Sequence, residues 1–99
     1  MEKTTQAPQL PQTVQQHLGA ELRKYRAGKH LAQRELAERL GVSQTQLSAL
    51  EHGHSWTLDG LCSTWQRLGR SPAEVFAVCY EKAMRHSDLP LFTGLQGEK

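Results

Sequence analysis

Residues 31–53 read LAQRELAERLGVSQTQLSALEHG, and this stretch decides the fold of the chain. Its first half has apolar residues at helical spacing, and Gly41 follows them, where a glycine can take the positive φ that ends a helix. Ser43 then begins a second helix, because its hydroxyl and the Gln46 side chain three residues later satisfy backbone NH groups in a capping box. The stretch therefore predicts a helix, a tight turn and a second helix.

The second of these helices has two different faces. Leu47 and Leu50 are spaced to point toward the interior. The opposite face carries uncharged polar side chains, which form hydrogen bonds and are short enough to act at a surface. These residues are Gln44, Thr45, Gln46 and Ser48. We expect this polar face to carry the function of the chain.

The whole stretch follows the pattern Leu-x-Gln-x-Glu-Leu-Ala-x-x-Leu-Gly-Val-Ser-Gln-x-x-Leu-Ser-x-Leu-Glu-x-Gly. This long pattern resembles the phage repressor and Cro type of helix-turn-helix, also called the xenobiotic-response-element type. The resemblance covers roughly residues 14–80. It implies an all-α fold, a compact five-helix repressor-like bundle, in which helix 3 at about residues 44–52 enters the DNA major groove.

The resemblance also implies which side chains contact DNA. Gln33, at the start of helix 2, would contact a backbone phosphate and brace Gln44, the first residue of the recognition helix. Arg34 and Lys29 are further candidates for phosphate contacts, although such charges more often belong to a solvated surface. A Gln can pair with adenine and a Thr can contact a thymine methyl. We therefore expect base edges to be read by Gln44, Thr45, Gln46 and Ser48.

A buried ion pair between Arg26 and Glu51 is a second feature that the resemblance implies, and it would join helix 1 to the end of helix 3. The alternative is two solvated surface charges. Burying one charge without the other would cost several kcal/mol. Both matching residue types are present in the sequence, so we favour the pair.

The chain departs from the family pattern at two places. Ala32 stands where the family usually has a Ser or Thr as N-cap of helix 2, a loss worth roughly 1 kcal/mol. The loop after Gly53 reads His-Ser-Trp-Thr where the family commonly has basic residues and a proline. Trp56 in this loop either packs its ring on the core or offers its indole NH to a phosphate, and we favour packing.

Hydrophobic periodicity predicts the remaining helices. Helix 1 runs from Val14 to near Gly28, helix 4 runs from Leu58 to Gly69, and a capping Ser71 followed by a proline begins helix 5. We expect one domain of modest size. It is predicted to consist of a flexible N-terminal tail at residues 1–12, a helix-turn-helix domain at residues 13–87 and a C-terminal tail at residues 88–99.

Helix 5 has an apolar band that is wider than one small core needs. One interpretation is a terminal helix that lies flat on helices 1 and 4. The other is a homodimer interface formed by two copies of the chain. We favour the second interpretation, with an interface made by Tyr80, Ala83 and Met84.

Composition and residue clusters limit the other functions open to the chain. A formal charge of +2 and a pI near 8.7 are only mildly basic, so the motif rather than the composition predicts DNA binding. We find no membrane span, signal peptide or catalytic constellation, and expect a cytoplasmic protein that is not an enzyme and needs no cofactor. His52 and His54 lack further ligands at metal-binding spacing, and Cys62 and Cys79 lie on apolar stripes as core residues.

Two functions remain compatible with the sequence. The first is a sequence-specific regulator of transcription that binds double-stranded DNA, most simply a repressor that occupies a promoter. The second is a protein-binding subunit, such as an antitoxin that masks a partner toxin and regulates its own operon. An apolar helix 5 followed by an apolar tail would suit the second function.

Overall fold

The computed structural model describes residues 8–86, and these residues form five α-helices. The helices are α1 (Gln12–Gly28), α2 (Gln33–Leu40), α3 (Gln44–Glu51), α4 (Leu58–Arg67) and α5 (Pro72–His86). Within this part of the chain, β-structure is limited to an isolated bridge between Gln9 and Thr57. The expected all-α five-helix bundle is confirmed.

The core lies where α1 packs against both α3 and α5, with α2 packed on α3 and α4 packed on α5. Each helix buries one apolar stripe and leaves its polar side in solvent. The loop between α3 and α4 adds one large aromatic side chain. The buried apolar residues are Val14, Leu18, Leu22, Leu36, Ala37, Leu40, Leu47, Trp56, Leu61, Trp65, Val75, Cys79 and Ala83.

Helices α1 and α3 approach most closely at Gly19. A Cβ atom at this position would lie 2.6 Å from the Glu51 carbonyl oxygen and 2.8 Å from the Gly53 backbone nitrogen. Such distances are shorter than van der Waals contact, and both atoms belong to backbone that cannot turn away. The absence of a side chain at Gly19 therefore sets how near α1 lies to the end of α3.

The two helices of the motif are capped differently. Gly41 ends α2 with a φ of 71°, the left-handed conformation that favours glycine. At the start of α3, the Ser43 hydroxyl accepts from the Gln46 NH at 3.0 Å and the Ser43 NH donates to Gln46 Oε1 at 2.8 Å. At the start of α2, the Ala32 NH donates to Glu35 Oε1 at 2.8 Å. Ala32 has no side-chain acceptor, so α2 has only half of a capping box.

The segment before α1 is attached to the loop that follows α3. The Leu10 NH donates to the Trp56 carbonyl at 3.0 Å. Gln15 is buried between these two backbone segments, donating to the Leu10 carbonyl at 2.7 Å and accepting from the Trp56 NH at 2.8 Å. Leu10 therefore packs against the core, and this end of the expected flexible tail belongs to the folded domain. Residues 1–7 and the tail expected at residues 88–99 lie outside the described residues.

Trp56 is fully buried, and its indole NH donates to the Leu50 carbonyl at 2.9 Å. The same carbonyl accepts the Gly53 NH at 3.0 Å, so the indole adds a second hydrogen bond at the C-terminal end of α3, where helix carbonyls lack partners within the helix. The ring packs in the core as favoured from the sequence. The alternative, in which the indole NH contacts a phosphate, is wrong because that donor is already used.

Helix α5 places one of its expected interface residues in the core. Ala83 is fully buried in the protein's own interior, together with Val75 and Cys79. Because its surface is already covered, Ala83 cannot contribute to a contact with a second copy, and its assignment to the dimer interface is wrong. Tyr80 and Met84 are half-buried and keep exposed surface.

The two cysteines occupy different environments. Burial raises the pKa of the Cys79 thiol to about 11, so this thiol stays protonated near neutral pH and is a poor nucleophile. Cys62 is partly exposed on α4, and both cysteines are free. None of the helices in residues 8–86 combines the length and apolarity that crossing a membrane requires.

Candidate nucleic-acid interface

The polar face of α3 lies in solvent. Gln44, Thr45 and Gln46 are exposed, and Ser48 is half-exposed one turn further along the helix. Leu47 is fully buried on the opposite side and holds the helix against the core. The structure thus brings all four residues expected to read bases onto the accessible side of one short helix.

A chain of hydrogen bonds runs from the interior to this face. The Arg26 guanidinium donates to both oxygens of Glu51, with Nε 2.6 Å from Oε2 and Nη2 3.0 Å from Oε1. Gln33 Nε2 donates to Glu51 Oε1 at 3.1 Å, and Gln44 Nε2 donates to Gln33 Oε1 at 3.3 Å. Four side chains from α1, α2 and α3 therefore form one connected network.

Glu51 is the buried end of this network. Its side chain is 2% exposed, whereas the Arg26 side chain is 26% exposed. A buried carboxylate requires both a counter-charge and hydrogen-bond donors, and Arg26 and Gln33 supply them. Arg26 also donates to the Leu31 carbonyl at 3.3 Å, which attaches the α1–α2 turn to the same group.

Gln46 has a role that limits what it can offer to DNA. Its Oε1 accepts the Ser43 NH in the capping box, which turns the oxygen toward the backbone at the start of α3 and leaves the amide NH groups as the freer end of the side chain. Bidentate pairing with adenine uses both the oxygen and an NH of a glutamine. Gln44 uses an NH group rather than its oxygen in its bond to Gln33, and is the better placed of the two for that pairing.

The residues expected at phosphates lie at the edges of this face. Gln33 is half-exposed at the start of α2, beside the exposed Arg34. Lys29 is exposed in the α1–α2 turn, with its Nζ 5.6 Å from the centre of the Tyr25 ring. Helix α3 itself contains no basic residue, so positive charge reaches the interface only from the neighbouring elements.

Sequence reasoning missed two side chains that hold the site. Arg23 donates through Nη1 to the Glu51 carbonyl, and so binds the end of α3 from α1. Gln15 lies on the buried face of α1 between Val14 and Leu18, a position that helical spacing from these two residues would have identified. No local signal marks Arg23, because its partner lies 28 residues further along the chain.

Comparison with known proteins identifies the motif. The family model described as helix-turn-helix matches residues 22–58, from the second half of α1 to the start of α4. No curated protein matches the chain significantly.

Solved structures of the clp gene regulator ClgR from Corynebacterium glutamicum are similar to the chain. One is 38% identical with a TM-score of 0.59, and the match covers 70% of this chain and 91% of that one. A second is 32% identical with a TM-score of 0.60, and covers 92% of this chain and 88% of that one. The chain therefore belongs to the phage repressor and Cro type of helix-turn-helix proteins, a family of DNA-binding transcription regulators.

Proposed function

We propose that this protein is a sequence-specific regulator that represses transcription by occupying a promoter, with α3 in the major groove. The observation that carries the proposal is the exposed, uncharged polar face of α3, which is held from behind by Leu47 and by the buried Glu51. An α-helix fits the major groove, where every base pair has its own pattern of donors and acceptors.

Gln44, Thr45 and Ser48 read base edges in this proposal, and Gln46 contributes through its remaining amide NH groups. The exposure of Gln44 and Thr45 at the first turn of α3 supports these roles, because recognition helices contact bases through their N-terminal residues. Gln33, Arg34 and Lys29 contact backbone phosphates and position the protein without selecting sequence.

The name of the similar ClgR structures, a regulator of the clp gene, supports a regulatory role for this chain. The small net charge of +2 supports a moderate electrostatic contribution to binding. We therefore expect affinity to fall with salt less steeply than for proteins with many basic contacts.

The test is a binding titration on a selected duplex and on a scrambled duplex, at two salt concentrations. Selection from a randomised duplex library with the wild type supplies the site. Gln44→Ala should lower affinity for the selected site by about 1 to 3 kcal/mol and remove the preference at one base pair. Gln33→Ala should weaken the scrambled duplex as well as the selected one, because its phosphate contact carries no sequence information.

The matched control is Gln66→Ala, which removes an exposed glutamine from α4 and should change neither affinity. If Gln44→Ala and Gln46→Ala both leave the ratio of selected to scrambled affinity unchanged, α3 does not read bases. A wild type that shifts no duplex would favour the protein-binding function over repression.

A further inference from the structure

Glu51 imposes a direction on the hydrogen bonds that connect it to the surface. A carboxylate paired with arginine only accepts hydrogen bonds. Gln33 must therefore present its amide NH2 group to Glu51, and the bond from Gln33 Nε2 to Glu51 Oε1 measures 3.1 Å. This leaves the Gln33 oxygen on the opposite side of the amide, 3.3 Å from Gln44 Nε2.

The same logic continues at Gln44. Because Gln33 presents an acceptor, Gln44 turns its NH2 group toward it, and one of the two amide hydrogens is used in that bond. The groups left to Gln44 are its Oε1 and the second NH. An amide without such a neighbour could rotate by half a turn and exchange its oxygen and nitrogen, since water satisfies both orientations.

The two groups left to Gln44 match one purine and conflict with the other. Adenine offers the N6 amino group as a donor and N7 as an acceptor, which suit an oxygen and an NH. Guanine offers two acceptors, O6 and N7, and the Gln44 oxygen would face one of them. An oxygen facing an oxygen leaves both acceptors without a donor, which carries a desolvation cost.

We propose that Glu51 is a positioning residue for base selection: through Gln33 it orients the Gln44 amide so that the contacted purine is adenine in preference to guanine. This inference rests on the proposed function, in which Gln44 contacts a base. It assigns to the buried ion pair a part in DNA specificity in addition to its part in joining α1 and α3.

The test compares affinities for two duplexes that differ only at the base pair read by Gln44. That base pair is the one whose preference disappears when the library selection is repeated with Gln44→Ala. Two variants interrupt the network at different points. Glu51→Gln replaces the carboxylate by an amide that can donate as well as accept, and Gln33→Leu removes the link while leaving Arg26 and Glu51 paired.

Both variants should lower the ratio of adenine to guanine affinity about five- to tenfold, the equivalent of one misplaced base contact. Affinity of Glu51→Gln for a scrambled duplex is measured alongside, so that a general loss of binding is separated from a change in the ratio. Gln33→Leu also loses a phosphate contact and should weaken all duplexes, but that loss does not alter the ratio. Glu38→Gln, an exposed glutamate on α2, is the control and should keep the wild-type ratio.

A measurement without DNA gives an independent result. The side-chain NH2 resonances of Gln44 in a ¹⁵N spectrum should exchange with water more slowly in the wild type than in Gln33→Leu. If Glu51→Gln is too unstable to assay, Gln33→Leu still tests the link on which the proposal depends, and wild-type behaviour of Gln33→Leu in both measurements overturns it.

The outcomes separate this inference from the function on which it rests. If Gln44→Ala loses the base preference but folded Glu51→Gln or Gln33→Leu keeps the wild-type ratio of adenine to guanine affinity, the positioning role is overturned. Base reading by α3 then still stands. A preference that survives in Gln44→Ala overturns base reading by Gln44, and the positioning role falls with it.

Discussion

At the scale of single residues, buried polar groups and a missing side chain decide how the elements meet. Gln15 uses both ends of its amide to join the segment before α1 to the loop after α3. Glu51 accepts hydrogen bonds from two other helices. Gly19 leaves the space that this arrangement needs. Each of these positions tolerates little change, because its neighbours are backbone atoms or a partly buried charge that would lose a hydrogen-bond partner.

Substituting Gly19 by alanine should destabilise the protein. The new methyl group would overlap the Glu51 carbonyl oxygen and force α1 away from α3, which we expect to lower the free energy of unfolding by about 1 to 3 kcal/mol. Urea denaturation followed by circular dichroism measures this change. Gly28→Ala is the matched control on the same helix, since a Cβ there meets nothing within 4 Å. Equal stability of the two variants would contradict the close approach.

Removing the Glu51 side chain should cost more than removing an ordinary surface carboxylate. Glu51→Ala leaves the Arg26 charge without its partner and should lower the free energy of unfolding by about 3 to 5 kcal/mol. The exposed Glu38→Ala is the control and should stay within about 0.5 kcal/mol of the wild type. Thermal melts of the two variants decide the matter, and similar shifts would show that the ion pair does not stabilise the fold.

At the scale of the helices, the ends of α2 and α3 differ in how much of their stability is local. Ser43 and Gln46 give α3 a complete capping box. The N-cap residue of α2 is Ala32, where only the bond from the Ala32 NH to Glu35 is made. Both helices have eight residues. Because its cap is incomplete, the stability of α2 depends more on the packing of Leu36 and Leu40 than the stability of α3 depends on the packing of Leu47.

Completing the cap of α2 should therefore stabilise the protein. Ala32 has the extended backbone of an N-cap residue, with φ −74° and ψ 157°, so a serine there can accept the NH of Glu35 without rearrangement. We expect Ala32→Ser to raise the free energy of unfolding by about 0.5 to 1 kcal/mol, measured by urea denaturation. Ala27→Ser, at an exposed position inside α1, should lower it slightly instead, because serine is a weaker helix former than alanine. A loss of stability in Ala32→Ser would contradict the capping argument.

At the scale of the whole molecule, α5 has one face in the core and two different flanks. Phe76 and Tyr80 stack with their ring centres 5.7 Å apart, and Met84 follows four residues later on the same flank. On the other flank, Lys82 forms an ion pair with Glu21 of α1 at 3.4 Å. The aromatic flank is thus the more apolar one and the more suitable for contact with a second copy.

We predict that two copies associate through this flank around a two-fold axis. Such a dimer places two recognition helices about one DNA turn apart, roughly 34 Å, and matches a palindromic site. Analytical ultracentrifugation of the wild type should show a dimer, and Met84→Asp and Tyr80→Asp should shift it toward monomer. Val78→Asp is the control, because Val78 is 47% exposed but does not lie in line with Phe76, Tyr80 and Met84. A wild type that stays monomeric at high concentration, free and on DNA, would remove the proposal.

The helices and the family of this protein could be predicted from its sequence, because the signals involved are local. Apolar spacing, Gly41 and the pair of Ser43 and Gln46 act within a few residues of one another, and they predicted α2 and α3 to within two residues. The polar face of α3 followed from the same spacing.

Only the tertiary structure decided which distant groups meet. Trp56 gives its indole NH to Leu50, Arg23 binds the end of α3, and Ala83 turns into the core rather than toward a second copy. These outcomes depend on the angle and separation of helices that lie far apart along the chain. Helical periodicity gives the direction of a side chain relative to its own helix axis, whereas its partner is set by how the helices pack against one another.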